Sequence, residues 1–369
     1  MRSNYKRLGG YIRPVDERNY DRALGEDNLY GISVTKEFII SHANLVGVSF
    51  DGYKVVSPRQ FAYIPDTSRR GDKIAISLNT FGEKIIVSSI CSVFEIIDEN
   101  ALLPEYLMLW FMRPEFDRYA RFMSNGSARE VFEWECMCGV ELPIPCIDDQ
   151  RKIVRDYEVI TRRIDLLRKI DENLEKQALI YFHSTVDNLE KNNVLSDFAC
   201  ITMGTSPEGE TLNDKADGEV FYQGRSDFGF RFPSIRLYTS NTIRRAKQRD
   251  VLMSVRAPVG DINIAKEDCA IGRGLAAIHP KDNCYSFLYY TMKELYYELK
   301  RFNDEGTVFG SITKDDLAAL KIQLPSPSDR ENFESKVRPI DNFILNNEFE
   351  IISLQALRSN LLSGITKGI

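Results

Sequence analysis

Eight basic side chains fall within 35 residues from Tyr222 to Arg256: Arg225, Arg231, Arg236, Arg244, Arg245, Lys247, Arg249 and Arg256. Only Asp227 and Asp250 offset them, so the stretch carries +6 in a chain of formal net charge −6. Seven of the eight are arginine, whose planar fork can bind a guanine edge or a phosphate through two hydrogen bonds at once. Tyr222, Phe228, Phe230, Phe232 and Tyr238 are interleaved with them. A solvated basic face over core aromatics accounts for any one of these arginines. The cluster as a whole points to nucleic acid. Nearer the N-terminus lies a weaker counterpart, where Arg59, Ser68, Arg69, Arg70 and Lys73 sit among polar turns.

Residues for bond-making chemistry are not arranged to match. No glycine-rich phosphate loop ends in Gly-Lys-Ser/Thr, and the Asn-Pro-Pro-aromatic run of amino-group methyltransferases is absent. Gly272-Arg273-Gly274-Leu275-Ala276-Ala277 has the loose G-x-G-x-x-A form, but no strand–turn–helix unit with a ribose-binding acid surrounds it. His42, His183 and His279 are scattered, and Cys136-x-Cys138 lacks the second pair that zinc needs. Pro65-Asp66 has no acid-x-lysine partner of the nuclease kind. The expectation is a chain that is not itself catalytic, holds no metal and binds no cofactor.

Stepping from these residues to their supports, 369 residues suffice for about two domains with their own cores. A composition of 43% hydrophobic and 28% charged residues is that of a folded globular protein. No apolar run of 18 residues occurs and no leader-like segment opens the chain, and the seven cysteines, odd in number, have no framework spacing. Reduced thiols, a cytoplasmic location and no membrane association are expected.

Between about Tyr5 and Pro145, short β-like runs (Tyr53–Val56, Lys73–Leu78, Lys84–Ile97) alternate with turn signals, and a helix is expected over Pro104–Met123. From Gln150 to Tyr181 the apolar residues Ile153, Tyr157, Ile160, Ile164, Leu167, Leu174, Ala178 and Tyr181 step by fours and threes, with one polar step at Asp171. That is the spacing of a helix packed along another helix, about 48 Å long at about 1.5 Å per residue. Its outer faces mix both charges. Asp148 or Asp149 is placed to cap it.

The same pattern returns 180 residues later in Phe333, Val337, Ile340, Ile344, Asn347, Ile351, Leu354 and Leu361, with Asp329 as candidate cap. Leu107–Met112 aligns with Phe287–Met292, Gly126 with Gly306, and the exit Leu142-Pro143-Ile144-Pro145 with Leu324-Pro325-Ser326-Pro327. Arg7-Leu8 at the start echoes Val194-Leu195. The chain reads as two copies of a globular domain followed by a long helix. Connectivity makes the helices antiparallel, giving an α+β, pseudo-two-fold dumbbell with two heads and a coiled-coil spacer whose C-terminus, Ile369, returns to the first head. Pro339 predicts a bend, or a short helix followed by the main one.

Several segments resemble type I restriction–modification specificity subunits. In the second half these are Gly204-Thr205-Ser206-Pro207, Val251–Asp261 and Ala270–Ile278. In the first half they are Tyr53-Lys54-Val55-Val56, Phe61-Ala62-Tyr63 and Glu141–Pro145 with Gln150; Leu361-Leu362-Ser363-Gly364-Ile365 resembles the C-terminal helix end. The chain departs from the family in Pro325–Arg330, which lacks the Glu-Gln or Asp-Gln that opens the second helix, leaving its start open.

The resemblance implies target-recognition domains over 1–147 and 191–327, separated by long helices over 148–190 and 328–369. It implies a DNA-recognition subunit that reads a bipartite target, one domain per half-site, and scaffolds two methyltransferase and two restriction subunits. S-adenosylmethionine, ATP and Mg would belong to those partners, with double-stranded DNA as ligand. Candidate DNA-binding residues are Arg59, Ser68, Arg69, Arg70, Lys73, Thr205, Ser206, Arg225, Arg231, Arg244, Arg245, Lys247, Arg256 and Arg273. The alternatives are a stand-alone DNA-binding regulator, or a coiled-coil scaffold for proteins.

Overall fold

Three-residue runs become strands here because both of their faces are covered. In Phe61–Tyr63 the two aromatics join the core under the helices while Ala62 joins a second core, and in Ser92–Ile96 the neighbours Phe94 and Val93 divide the same way. Period-2 alternation then sends apolar groups both ways, and the strands read as continuous apolar runs. In the second half Val251 and Met253 face one core and Leu252 the other.

The computed structural model describes residues 5–41, 47–67, 71, 73–124, 130–304 and 310–367. His42, Ser68, Arg69, Arg70, Gly126, Gly306 and Ile369, all singled out above, lie outside the described residues. The chain divides into two units: Met1–Asp165 with Ile352–Ile369, and Leu166–Ile351. The first long helix, Ile147–Val186, and the second, Pro327–Gly364, each contribute to both.

In the first unit a four-stranded antiparallel sheet has the order Ile12–Val15, Ser92–Ile96, Phe61–Tyr63, Ile76–Leu78. In the second the order is Ala199–Met203, Leu275–Pro280, Val251–Ser254, Ile262–Ile264, again antiparallel throughout. Counted by position in the copy, the two orders are the same. A second β layer packs on each sheet. In the first unit it holds the hairpin Tyr30–Ile32 with Phe38–Ile40 and the pair Lys54–Val56 with Ile85–Val87. In the second it has five strands: Leu212–Asn213, Leu237–Thr239, Glu219–Tyr222, Cys269–Ile271 and Arg245–Ala246. Entry and exit of each copy are zipped together, Tyr5–Arg7 on Glu141–Pro143 and Asn193–Val194 on Lys321–Ile322. The next amides, Leu8 N and Leu195 N, donate to Val140 O and Leu320 O at 2.8 and 2.9 Å.

Three helices follow in each copy: Pro104–Phe111, Pro114–Met123 and Trp134–Cys138 in the first, Tyr285–Glu294, Tyr296–Asp304 and Lys314–Ala318 in the second. The single helix expected over Pro104–Met123 is therefore two. Pro114 holds Arg113 extended, which ends one helix and starts the next. The run Lys84–Ile97 is likewise two strands, Ile85–Val87 and Ser92–Ile96, separated by a turn closed by Cys91 N on Ser88 O.

Ile153, Tyr157, Ile160, Ile164 and Leu167 are buried along the first long helix, and Phe333, Val337, Ile344 and Ile351 along the second; Leu174, Ile340, Leu354 and Leu361 are half-buried. The pairing is antiparallel within each unit. In the second, Phe182 meets Phe333 and Asp171 meets Asn347; in the first, the Arg358 guanidinium lies over the Tyr157 ring and Ile365 joins the core of Ile153. Beyond Asp171 the stripe advances through Glu175, Ala178, Phe182 and Val186, so Glu175 replaces Leu174 as the buried group and Phe182 replaces the exposed Tyr181. The longer steps follow an undistorted helix rather than a strict heptad.

The caps also differ from expectation. Asp148 and Asp149 lie inside the first turn, since that helix starts at Ile147. Ser326 caps the second helix, accepting from Asp329 N at 3.3 Å while its hydroxyl donates to the Asp329 carboxylate at 2.6 Å. The second helix is not split at Pro339. Pro339 is exposed, and the carbonyl it leaves without a donor belongs to Ser335, also exposed and open to water.

Candidate nucleic-acid interface

Four loops of the second unit are drawn to one end of its two β layers by backbone contacts. Thr205 N donates to Ile271 O, Gly272 N to Tyr222 O, Val255 N to Gly274 O, and Arg273 N reaches the Ser206 hydroxyl at 3.4 Å. The glycines allow this closeness: a Cβ on Gly204 would lie 2.2 Å from Gly272 O, and one on Gly274 would lie 2.7 Å from Gln223 O. Thr205, Ser206, Arg225, Arg256 and Arg273 come together in this way. Arg244 borders them through Ile271 N on its carbonyl, and Arg245 pairs with Ala270 across the outer strand.

Availability separates these cations. Arg225 is paired with Asp261, Arg236 with Asp227, and Arg245 with Glu219, which takes both Nε and Nη2 at 3.0 and 2.5 Å. Hydrogen bonding to Glu219 holds the Arg245 guanidinium more firmly charged than usual, and its bond together with Thr242 lowers the Glu219 carboxyl. Arg244, Arg256 and Arg273 have no acidic partner among the described residues, and all three are exposed; Lys247 is exposed too, but its backbone N donates to Asp250 at 2.8 Å and its charge acts on that carboxylate.

Arg231 is a correction to the candidate set. Its side chain is 0% exposed, with Nη2 2.5 Å from Asp341, Nη1 3.1 Å from the Tyr290 hydroxyl, and the guanidinium 4.2 Å from the Tyr289 ring centre. Glu175, which accepts from the Tyr289 hydroxyl at 3.0 Å, and Lys293 complete the group. Burial is the largest single influence and opposes the Arg231 charge, but Asp341, Tyr289 and Tyr290 together outweigh it and hold the guanidinium protonated. No groove can reach this residue; it ties the loop between two strands of the outer layer to the long helices. Lys36 occupies the matching loop of the first unit, buried, 2.7 Å from Asp117 and 2.5 Å from Phe111 O. Burial lowers its pKa, and Asp117 only partly restores it.

The first unit repeats the frame with other side chains. Asp66 bridges Val131 as Arg256 bridges Ser311; Thr67 N donates to Glu130 O as Ala257 N does to Gly310 O; Phe132 N donates to Pro65 O as Ile312 N does to Val255 O. Lys73 is exposed, and Arg59 is clamped by Glu99 and Glu105, which hold it more firmly protonated. Sequence reasoning missed the carboxylates that brace the bases from afar: Asp227, the partner of Arg236, lies inside the stretch, but Glu219 and Asp261 are 26 and 36 residues from their partners.

A family model described as "Type I restriction modification DNA specificity domain" matches residues 191–354. Residues 191–354 are thus similar to that family. The matched segment contains the whole loop cluster of the second unit. A relative from Methanocaldococcus jannaschii, named for the specificity subunit of type I restriction enzyme MjaX, is 31% identical over 229 residues, 56% of this chain and 53% of its own. The MjaIX specificity subunit of the same organism is 21% identical over 310 residues, 74% of this chain and 70% of its own. The chain therefore spans about half the length of the first of these relatives. A solved type I restriction–modification S subunit from M. genitalium has the same fold, with a TM-score of 0.61 at 14% identity over 98% of this chain and 95% of that one.

Proposed function

We propose that the chain is the sequence-specific DNA-recognition subunit of a type I restriction–modification complex, reading a bipartite target with one unit per half-site. The observation that carries this reading is the set of exposed arginines without acid partners, Arg244, Arg256 and Arg273, gathered on pinned loops of a specificity domain. Arginine forks on these loops can take base edges in the major groove, while unpaired basic side chains and backbone amides hold phosphate. The matching loop frame of the first unit supports a parallel role there.

In this reading the chain makes and breaks no bond. The long helices set the distance between half-sites, and their charged outer faces receive two methyltransferase subunits. Two restriction subunits complete the nuclease. S-adenosylmethionine, ATP and Mg are bound by those partners. The test is single-molecule sequencing of DNA modified by the chain reconstituted with its methyltransferase subunits. The expected result is methylated adenines in pairs on opposite strands, about one duplex turn, ~34–36 Å, apart. Modification at a single contiguous site would overturn the bipartite reading. Tight DNA binding by the chain alone would support a stand-alone regulator, and no DNA retention with or without those subunits would support a protein scaffold.

A further inference from the structure

We infer that Arg225 reads a guanine in the half-site of the second unit, with Asp261 as its positioning residue; the inference rests on the DNA-recognition reading above. Arg225 is exposed, and its Nε donates to Asp261 Oδ2. Neither terminal nitrogen has a partner among the described residues. Those two nitrogens are the donors whose spacing matches N7 and O6 of guanine.

Both ends of the pair are fixed. Asp261 N donates to the Ser254 hydroxyl at 3.0 Å, Ser254 N to Asp261 O at 2.8 Å, and the same hydroxyl to Pro258 O at 2.7 Å. Ser254 is buried at the end of the strand Val251–Ser254. On the other side, the buried Asp227 carboxylate accepts from Gln223 N and Gly224 N at 2.8 and 3.3 Å, and Phe228 N closes a turn on Arg225 O. The backbones that carry both partners are thus held, and the Asp261 carboxylate orients the guanidinium through Nε, the kind of support a base-reading side chain requires.

Charge argues for a base over a phosphate. Asp261 neutralises Arg225, and a phosphate brought to the pair meets a carboxylate as well as a cation. What remains is direction: two parallel donors facing neutral acceptors. Guanine offers two acceptors there, whereas adenine sets its N6 amino donor against one of them. The other arginines of the stretch differ. Arg236 and Arg245 each give Nε and Nη2 to a carboxylate, Arg231 is buried, and Arg244, Arg256 and Arg273 have no brace.

The test uses the chain reconstituted with methyltransferase subunits on a pool of randomised targets, read by methylation sequencing, with thermal unfolding of each variant alongside. Arg225→Ala is expected to relax the preference for guanine at one position of one half-site by about 10–100-fold and to leave the other positions unchanged. Arg225→Lys, which keeps the charge and loses the fork, should relax the same position. Asp261→Asn should relax it in part. A uniform loss across all sequences, with the salt slope lower by about one, would make Arg225 a phosphate contact and overturn the inference. An unchanged profile for Arg225→Lys would overturn it too, even if Arg225→Ala failed to fold. Failure of the wild-type complex to modify any sequence would count against the recognition function itself.

Discussion

Within the basic stretch, charge and availability separate. Arg236 and Arg245 each give two donors to a carboxylate, and Arg231 is closed inside the unit, whereas Arg244, Arg256 and Arg273 face solvent unpaired among the described residues. Each phosphate neutralised lowers the slope of log affinity against log salt by about 0.9. Replacing Arg244, Arg256 and Arg273 by glutamine should therefore reduce the slope of the assembled complex by up to about three, while the same change at Arg236 and Arg245 should leave it nearly untouched. Anisotropy titrations across a salt series distinguish the two. The arginine cluster was legible as a cluster in the sequence. Which of its members are spoken for was not, because the partners of Arg231 and Arg245 lie 110 and 26 residues away.

The long helices were the most legible elements, since a seam at regular spacing is a local property of sequence. What local spacing could not show is that Asp171 is the polar step for a reason. It is buried, and Asn347 donates to it at 2.5 Å. Burial pushes its carboxyl up to about 6, with the Asn347 bond only partly countering that. A group whose pKa rises on folding favours the fold while protonated. That contribution is fully present below the ordinary value of 3.8 and is lost as pH rises through about 6. Asp171→Asn should flatten this part of the pH dependence and stabilise the protein at pH 7 by about 1–3 kcal/mol. Urea midpoints for both chains over that pH window test it. Pro339 does not split the second helix, because the carbonyl it leaves without a donor lies on the solvent side of a helix packed along its other face.

For the molecule as a whole, the duplication was visible at its helices and exits and hidden in its sheets. Strands of two to six residues covered on both faces leave little pattern, and the second copy inserts a strand, Leu212–Asn213, and a longer loop around Arg231. In the sheets it is the strand orders that reveal the agreement of the copies. The architecture also gives the chain's last turns to its first unit: Tyr5 donates to Thr366 O at 3.0 Å, and Leu361, Leu362 and Ile365 pack with Ile153 and Tyr157. Truncation after Ile351 should thus destabilise the N-terminal unit, by about 3 kcal/mol or more from lost apolar burial. Hydrogen exchange should rise in Pro104–Phe111 and at the start of the first long helix, and less in the sheet around Val251.

The Asp171–Asn347 contact bears on how such a molecule can change over generations. The apolar steps of a helix seam tolerate a shift by a turn, since one leucine-like neighbour replaces another. A carboxylate left facing apolar side chains does not. An insertion on one side of Asp171 is therefore harmless to the pair only if the opposite side of Asn347 lengthens to match. Lineages that alter the length of these helices should do so in paired increments of whole turns, with this one contact recording where the two insertions must meet.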